Sequence, residues 1–189
     1  MATTKLKAVN TLLSVIGESP VNSLTPPLTG DVSLAETIID EISTEVQTEG
    51  WSWNTRLYDA IPLDASGHSS LASSTLAVRF NPLSYPSQRF VLRGTKLYDR
   101  VKSTYDLRTS LSVAMTGSTS DLIAQVVEEL DWDSIPESGR RYIMIRAARI
   151  YANRIVTSSS IEAYTAEDEE RALQNLKRTE DMAQNTQNN

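Results

Sequence analysis

The residues that most often carry out catalysis are scarce in this sequence of 189 residues. It contains no cysteine, which excludes disulfides, zinc–thiolate sites and cysteine nucleophiles. Its only histidine, His68, lies in the polar, serine-rich stretch DASGHSSLASS, and the chain has no G-x-S-x-G motif. We therefore interpret His68 as an exposed loop residue and not as a catalytic base.

Asp131 and Asp133, in the sequence DWD, are the residues best placed to bind a divalent cation. Mg²⁺ and Ca²⁺ need several oxygen ligands, however, and no glycine-bearing EF-hand loop surrounds these two carboxylates. Neither of the glycine-rich nucleotide-binding motifs occurs. The sequence therefore predicts no catalytic residue, no metal site and no cofactor. An unrecognised hydrolase remains an alternative, because paired carboxylates need only meet in space.

Residues 79–108 form a basic segment in a chain whose net charge is −6. The segment has seven basic and two acidic residues, a balance of +5 (7 − 2), and five aromatic residues are interleaved. One interpretation is a nucleic-acid-binding module that contacts phosphates and stacks bases. The other is a charged sheet that meets an acidic neighbouring subunit, for which Arg93 and Lys96 are candidate interface residues. The basic residues are Arg79, Arg89, Arg93, Lys96, Arg100, Lys102 and Arg108, and the aromatic residues are Phe80, Tyr85, Phe90, Tyr98 and Tyr105.

Two of the three tryptophans, Trp51 and Trp53, directly follow Gly50 in the sequence EGWSWN. A glycine in the left-handed conformation ends many helices, and the residue after it packs against the last turn. Counting back from Gly50 places Val46 as the partner of Trp51. We therefore predict that Gly50, Trp51 and Trp53 form a structural hinge, and that the two rings are not a ligand platform.

Hydrophobic periodicity predicts two amphipathic helices before this hinge. The first covers about 4–16 and ends at Gly17, which can take the left-handed position. The second begins at a capping box formed by Ser33 and Glu36 and ends near Glu49. Leu34 is assigned to its apolar face.

Two further helices are predicted after about residue 134. The third begins at a second capping box, Ser134 with Glu137, and carries a row of arginines. The fourth covers about 161–182, and its apolar content is thin, so it is partly exposed or completes its packing on another chain. The charged residues of these helices either pair with each other or form a seam between subunits. The candidate interface residues are Arg140, Arg141, Arg146, Arg149, Glu167, Asp168, Glu169 and Glu170.

The segment between the two helical parts is rich in short candidate strands. They are 56–63, 75–80, 88–93, 95–100 and 111–115, and residues 121–130 fit either a strand or a helix. The predicted fold is α+β: an antiparallel bundle of about four helices, formed by 1–50 and 134–189, with an inserted β-rich module at 51–133. No apolar run approaches the length of a membrane helix, so we expect a soluble, unexported protein.

Four stretches together resemble the tail tubular protein A family of T7-like short-tailed phages. They are AVNTLLSVIGESPVNSL (8–24), IIDEISTEVQTEGWSWN (38–54), LRGTKLYDR (92–100) and IPESGRRYIMIRAARIYANRI (135–155). Their order and approximate spacing hold over about residues 8–175. The most specific feature is IGESPV followed by EGWSWN.

The resemblance implies a structural adaptor, or head-to-tail connector, at the head–tail junction of the virion. Such a protein is made in the host cytoplasm and assembles with itself as a ring, expected to be a dodecamer. The expected partners are the portal protein, the tail nozzle (tubular protein B-like) and tail fibres, with no membrane. Genome DNA would pass through the ring as cargo. The family carries no catalytic residues that could be transferred to this chain.

Overall fold

A computed structural model describes residues 2–81, 89–108, 122–155 and 164–187 of the chain. It divides into two compact units, Met1–Trp53 with Leu130–Asn189 and Asn54–Glu129. The first unit contains the helices and the second contains the strands. The predicted module boundaries at 50/51 and 133/134 therefore differ from the observed division at 53/54 and 129/130. Trp51, Trp53 and Trp132 all pack against the helical core, which extends that unit on both sides.

In the part of the helical unit that the structure describes, there are four α-helices with packed side chains between them. They are α1 (Lys5–Val15), α2 (Gly30–Thr48), α3 (Glu137–Ile155) and α4 (Ala166–Gln187). The first three supply most of the buried apolar residues of one shared core. Each has apolar residues three and four positions apart, so one face of each helix can be removed from water. The described residues thus contain four α-helices and small antiparallel sheets, which confirms the predicted α+β class.

Helix α1 has the ends that its sequence predicts. The Thr4 side chain accepts a hydrogen bond from the backbone N–H of Lys7 at 3.1 Å, which caps the first turn. Gly17 has a φ of 82°, and its N–H donates to the carbonyl of Ser14. The N–H of Glu18 reaches the carbonyl of Leu13 at 3.0 Å. Together these two bonds form the glycine-terminated helix end of the Schellman type.

Helix α2 begins earlier than predicted, so the proposed capping box at Ser33 and Glu36 is wrong. The residue before the helix is Thr29, and Ser33 lies inside the helix. The earlier start places Val32, which is 2% exposed, in the buried face. Leu34, assigned to the apolar face, is 39% exposed instead. The core therefore contacts a slightly different face of α2 from the one that includes Leu34.

Helix α3 also begins without its predicted capping box. Ser134 belongs to a short 3₁₀ helix, Trp132–Ser134, and α3 begins at Glu137. The Glu137 carboxylate instead accepts hydrogen bonds from the backbone N–H and the hydroxyl of Thr3, at 2.8 and 2.6 Å. The N-terminal segment is thereby fixed to α3, and the indole N–H of Trp132 donates to the Thr3 carbonyl at 2.8 Å.

Helix α4 begins at Ala166, later than the predicted start near residue 161, and 161–163 lie outside the described residues. A capping box does occur here, because Thr165 and Asp168 exchange hydrogen bonds of 3.1 and 3.2 Å. Of the side chains of this helix that the structure describes, Ala172 and Leu176 alone belong to the buried apolar core. The thin apolar content that the sequence indicates is thus present in the structure.

The described residues of the second unit include five strands. Strands β1 (Thr55–Ile61), β5 (Leu122–Glu128) and β2 (Thr75–Arg79) make an antiparallel sheet in the order β1-β5-β2. Strands β3 (Phe90–Arg93) and β4 (Lys96–Asp99) form a separate hairpin. Within the ambiguous segment 121–130, residues 122–128 are therefore a strand, and the predicted strand 111–115 lies outside the described residues.

The second unit has an apolar core of its own. Ile61, Leu97, Leu107 and Leu122 are 0–1% exposed, and Phe90 packs beside them. In β5 the buried residues alternate with exposed ones from Leu122 to Val126, as expected for a strand with one face on a core. The strands therefore have an apolar core separate from that of the helices.

Candidate interface surfaces

The turn that follows α2 contains the predicted hinge residues. Gly50 has a φ of 77°, and its N–H donates to the carbonyl of Gln47 at 3.1 Å. The indole N–H of Trp51 donates to the carbonyl of Val46 at 2.8 Å. The contact between Trp51 and Val46 is thus the one counted from the sequence, and the Val46 carbonyl also accepts a hydrogen bond from the backbone N–H of Glu49 at 3.3 Å. The role of these residues as a hinge stays a prediction.

Trp53 occupies a different environment from Trp51. It lies in a 3₁₀ helix, Ser52–Asn54, so the chain is not extended here and the two rings do not share a strand face. Its ring lies against α3, where a Cβ on Gly139 would be 3.5 Å from it and 2.8 Å from the Ile135 side chain. The glycine leaves room for this contact. Both tryptophans therefore contact the helical core, which favours structure over ligand binding.

An arginine–glutamate cluster joins α4 to α2 and α3. Arg146 contacts Glu169 at 3.0 Å and Glu45 at 2.6 Å, and Arg149 also pairs with Glu169. Glu169 is only 8% exposed, so its charge is stabilised by two guanidinium groups. Of the two interpretations left open by the sequence, pairing within the chain is the one observed for these three residues.

Arg146 and Tyr142 influence each other at this cluster. Burial works against the charge of Arg146, but Tyr142, Glu45 and Glu169 together raise its pKa above the ordinary value. Burial also raises the pKa of the Tyr142 hydroxyl, and the nearby guanidinium, 3.4 Å away, opposes that change. Both side chains therefore keep their usual charge states at neutral pH.

The other candidate residues of α3 and α4 do not form one surface. Arg140 lies at the N-terminal segment, 3.5 Å from the Thr3 carbonyl and 3.7 Å from Asp133. Asp168 belongs to the cap of α4, and Glu170 accepts a hydrogen bond from Gln174 at 2.6 Å. The candidates that remain exposed are Arg141, Glu167 and Glu170.

A pocket of about 210 Å³ lies beside the arginine–glutamate cluster. Its apolar walls come from Trp51, Tyr142 and Leu173, and its charged rim has two acidic and two basic side chains. The lining residues are Glu45, Val46, Glu49, Trp51, Tyr142, Arg146, Leu173 and Lys177. The balanced rim gives the pocket no preference for an anion or a cation.

The tip of the β3–β4 hairpin carries an exposed pair of positive charges, which we call the basic hairpin. Arg93 pairs with Lys96 in the register, and Gly94 between them has a φ of 60°. A positive φ is what a two-residue hairpin turn requires. The Arg93 guanidinium lies 3.7 Å from the centre of the Tyr98 ring, a cation–π contact that holds it in place.

Other residues of the basic segment make ion pairs or core contacts within the second unit. Arg89 contacts Asp99, a fully buried carboxylate, at 3.0 Å, and Arg108 contacts Asp106 at 2.6 Å. Hydrogen bonds from Arg108 lower the pKa of Asp106 to about 2. Phe90 is buried in the core, and Tyr85 lies outside the described residues. Arg89 and Arg108 are thus neutralised locally, and the Phe90 ring cannot stack on a base.

Helix α2 presents an acidic face that the sequence reasoning did not single out. The helix has five acidic residues and no basic one, and Glu49 directly follows it. The side chains of Asp40 and Glu41 are 59% and 55% exposed. The signal lies in the composition of this one helix. The acidic residues of the helix are Asp31, Glu36, Asp40, Glu41 and Glu45.

The family of this chain follows from a comparison with models of known protein families. The family model described as "Tail tubular protein" matches residues 6–186, nearly the whole chain. The chain belongs to the tail tubular protein family. The expected resemblance is thereby confirmed, and the protein has a structural role in the phage tail. No curated protein matches the chain.

Membership of the tail tubular protein family agrees with the chemistry of the surfaces. Within the part of the chain that the structure describes, no three His, Asp or Glu side chains lie close enough to hold a metal ion. Asp133 contacts Arg140 instead. Among the described helices, none is both long enough and apolar enough to cross a bilayer. The surfaces that stand out are charged, and charged surfaces suit contacts between proteins.

Proposed function

We propose that this tail tubular protein is a ring-forming adaptor that joins the capsid portal to the tail nozzle and lets genome DNA pass. The observation that supports the proposal best is the family match over residues 6–186. The matched region includes both units, so the proposal applies to the chain as a whole. Tail fibres are a further proposed partner, and the proposed copy number is twelve.

The distribution of charge supports a ring. A ring is closed by heterologous contacts, in which two different surfaces of each copy meet. This chain has two surfaces of opposite sign: the basic hairpin in one unit and the acidic face of α2 in the other. A net charge of −6 also suits a channel wall, since strong attraction to phosphates would hold the DNA back.

The assembly with the portal tests the adaptor proposal. Purified chain is mixed with the portal protein of the same phage, and native mass spectrometry measures the complex. We expect a ring of identical copies on the portal, and no such ring with a portal from an unrelated phage. Persistent separate monomers with the matching portal would contradict the proposal. Electron microscopy of the complex then shows whether the nozzle protein adds to the opposite side.

A salt titration distinguishes the adaptor from the nucleic-acid-binding alternative. A module that binds DNA through residues 79–108 loses affinity steeply as salt rises, because each phosphate contact releases counterions. The adaptor should bind a DNA duplex weakly at every salt concentration in a gel-shift assay. Strong binding at low salt that Arg93→Glu abolishes would favour the alternative.

A further inference from the structure

Helix α4 has a bonded carboxylate near each end of the face that it turns toward the rest of the helical unit. The first is paired with the arginines of α3, and the second, Glu180, accepts a hydrogen bond from the backbone N–H of Ser52. The buried and half-buried residues of this face follow the three- and four-residue spacing of one helix side: Glu169, Ala172, Leu173, Leu176 and Glu180. The helix is therefore attached at two separate points.

The second point of attachment lies on the turn that leads from α2 into the strands. Ser52 begins the 3₁₀ helix Ser52–Asn54, which ends directly before β1. The first N–H groups of a helix have no partner within it, and a carboxylate that accepts from one of them forms a strong, charge-assisted hydrogen bond. Glu180 thus caps this short helix from 128 positions away. The described side chains beyond it, at 181–183, are all exposed.

The contact of α4 with this turn is polar, and a cavity lies beside it. The pocket of about 210 Å³ has Leu173 and Lys177 of α4 in its wall, together with Trp51 of the turn. Side chains that line a cavity lose part of the dispersion attraction that a packed contact would give. The first half of α4, in contrast, has Ala172 and Leu176 in the apolar core. The two halves of the helix are therefore held with different strength.

We propose that the second half of α4 is a reversible latch on the turn after α2. While Glu180 is bonded to Ser52, the chain that enters β1 is held in place. When this bond breaks, the turn gains freedom and the second unit gains motion of its own. Weakly held segments open in this way without unfolding of the whole protein. The latch acts within one copy, so the inference goes beyond the adaptor proposal and does not depend on a ring.

Amide hydrogen exchange tests the bond of the latch. In Glu180→Ala we expect the Ser52 amide, measured by NMR, to exchange about tenfold faster, because its acceptor is gone. The amides of residues 169–176 should keep their rates, since the core contacts of α4 are unchanged. Glu180→Gln keeps an acceptor oxygen in the side chain and should restore most of the protection. An unchanged Ser52 rate in Glu180→Ala would overturn the inference.

NMR relaxation of the backbone amides then shows whether the latch restrains the strands. It gives a rotational correlation time for each of the two compact units of the full chain. In Glu180→Ala the correlation time of the second unit should fall by about a quarter relative to that of the helical unit, because the second unit gains motion of its own. If the ratio stayed constant while the Ser52 amide exchanged faster, the bond would only cap the 3₁₀ helix, and the latch would be wrong.

Asp181→Ala is the matched control for both measurements. It removes a carboxylate from the same turn of α4, but the side chain of Asp181 is exposed. The Ser52 rate and the ratio of correlation times should both stay as they are in the unaltered chain. Equal changes in Asp181→Ala and Glu180→Ala would mean that the charge at this end of α4 controls the turn, which would also overturn the inference.

Discussion

Single residues at the end of α2 have tasks that can be measured separately. The Trp51 indole N–H donates a hydrogen bond to the Val46 carbonyl. Trp51→Phe removes this donor while keeping an aromatic ring. We expect the free energy of unfolding to fall by about 1 kcal/mol, the usual net contribution of one hydrogen bond. Equilibrium urea unfolding measures the change. Ser52→Ala, at an exposed neighbour, is the matched control and should leave the midpoint unchanged.

Replacing the whole ring should cost more. Trp51 is half-buried, so Trp51→Ala should lower the free energy of unfolding by about 2 kcal/mol, below the 3–5 kcal/mol typical of fully buried aromatic rings. The same urea experiment gives the value. If the variant kept its stability and lost only its binding to a partner, the structural role of Trp51 would be wrong and a binding role would replace it.

Glu137 should make stability depend on pH. Burial opposes its charge, but the hydrogen bonds from Thr3 outweigh this, so its pKa lies below the ordinary value of 4.5. A lowered pKa in the folded state contributes stability above pH 4.5, and that contribution is lost as pH falls through the lowered pKa. The difference in melting temperature between the protein and Glu137→Gln should therefore shrink below about pH 4.5. A constant difference would contradict the linkage.

The sequence predicts contacts between neighbouring residues better than contacts between residues that are far apart in the chain. The pairing of Trp51 with Val46 could be counted because both residues belong to one helix end. The pairing of Glu137 with Thr3 joins residues 134 positions apart, and no local pattern encodes it. Ser134 and Glu137 match the capping-box spacing, but the carboxylate is used by the N-terminal segment.

Among the helices, α4 should be the least firmly held. Two apolar residues belong to the core, and the arginine–glutamate cluster supplies much of the remaining attachment. Glu169→Gln should leave Arg146 and Arg149 poorly paired and lower the stability of α4 by about 2 kcal/mol, less than for a fully buried ion pair. Hydrogen exchange should become faster in α4 and change little in α1.

The exposed Glu167 offers the control for this experiment. Glu167→Gln removes the same charge in the same turn without touching the cluster, so the exchange rates of α4 should stay as they are. Equal acceleration in both variants would mean that the net charge of the first turn, and not the cluster, holds the helix. The dipole of α4 would then be the better explanation.

The existence of these helices can be predicted from the sequence more accurately than the residues at which they begin. The capping spacing at Ser33 was matched by chance, because α2 begins three residues before it, at Gly30, and buries Val32. The capping box that does form, Thr165 with Asp168, has the same four-residue spacing. A four-residue capping pattern occurs too often in a sequence to identify the residue at which a helix begins. The start of the helix depends instead on which residues can be buried in the neighbouring core.

At the scale of the whole molecule, the order of helices and strands was readable and the pairing of the strands was not. The segment of β5 fits a helix or a strand because its apolar residues are nearly continuous. It is the central strand of the sheet, between β1 and β2. The central position explains why the sequence of β5 is apolar. It cannot be predicted from β5 alone, because it depends on pairing with strands that are distant in the chain.

The two compact units lead to a last prediction, that the helical unit folds without the strands. Thr55 and Val127 are direct partners in the register of β1 and β5, so their Cα atoms are about 5 Å apart. A short glycine linker can therefore replace 55–128. The helical unit keeps its own core, and the Gln47 amide still holds the backbone of Leu130 through bonds of 2.7 and 3.2 Å.

We expect this shortened chain to show a helical circular dichroism spectrum and a cooperative thermal transition. Its stability should depend on Gln47, because this buried amide bonds both the N–H and the carbonyl of Leu130, next to the end of the linker. Gln47→Ala in the shortened chain should then lower the melting temperature markedly, since an unpaired buried backbone group costs about 1–3 kcal/mol. A non-cooperative transition would contradict the prediction, because it would mean that the strands are needed to complete the helical core.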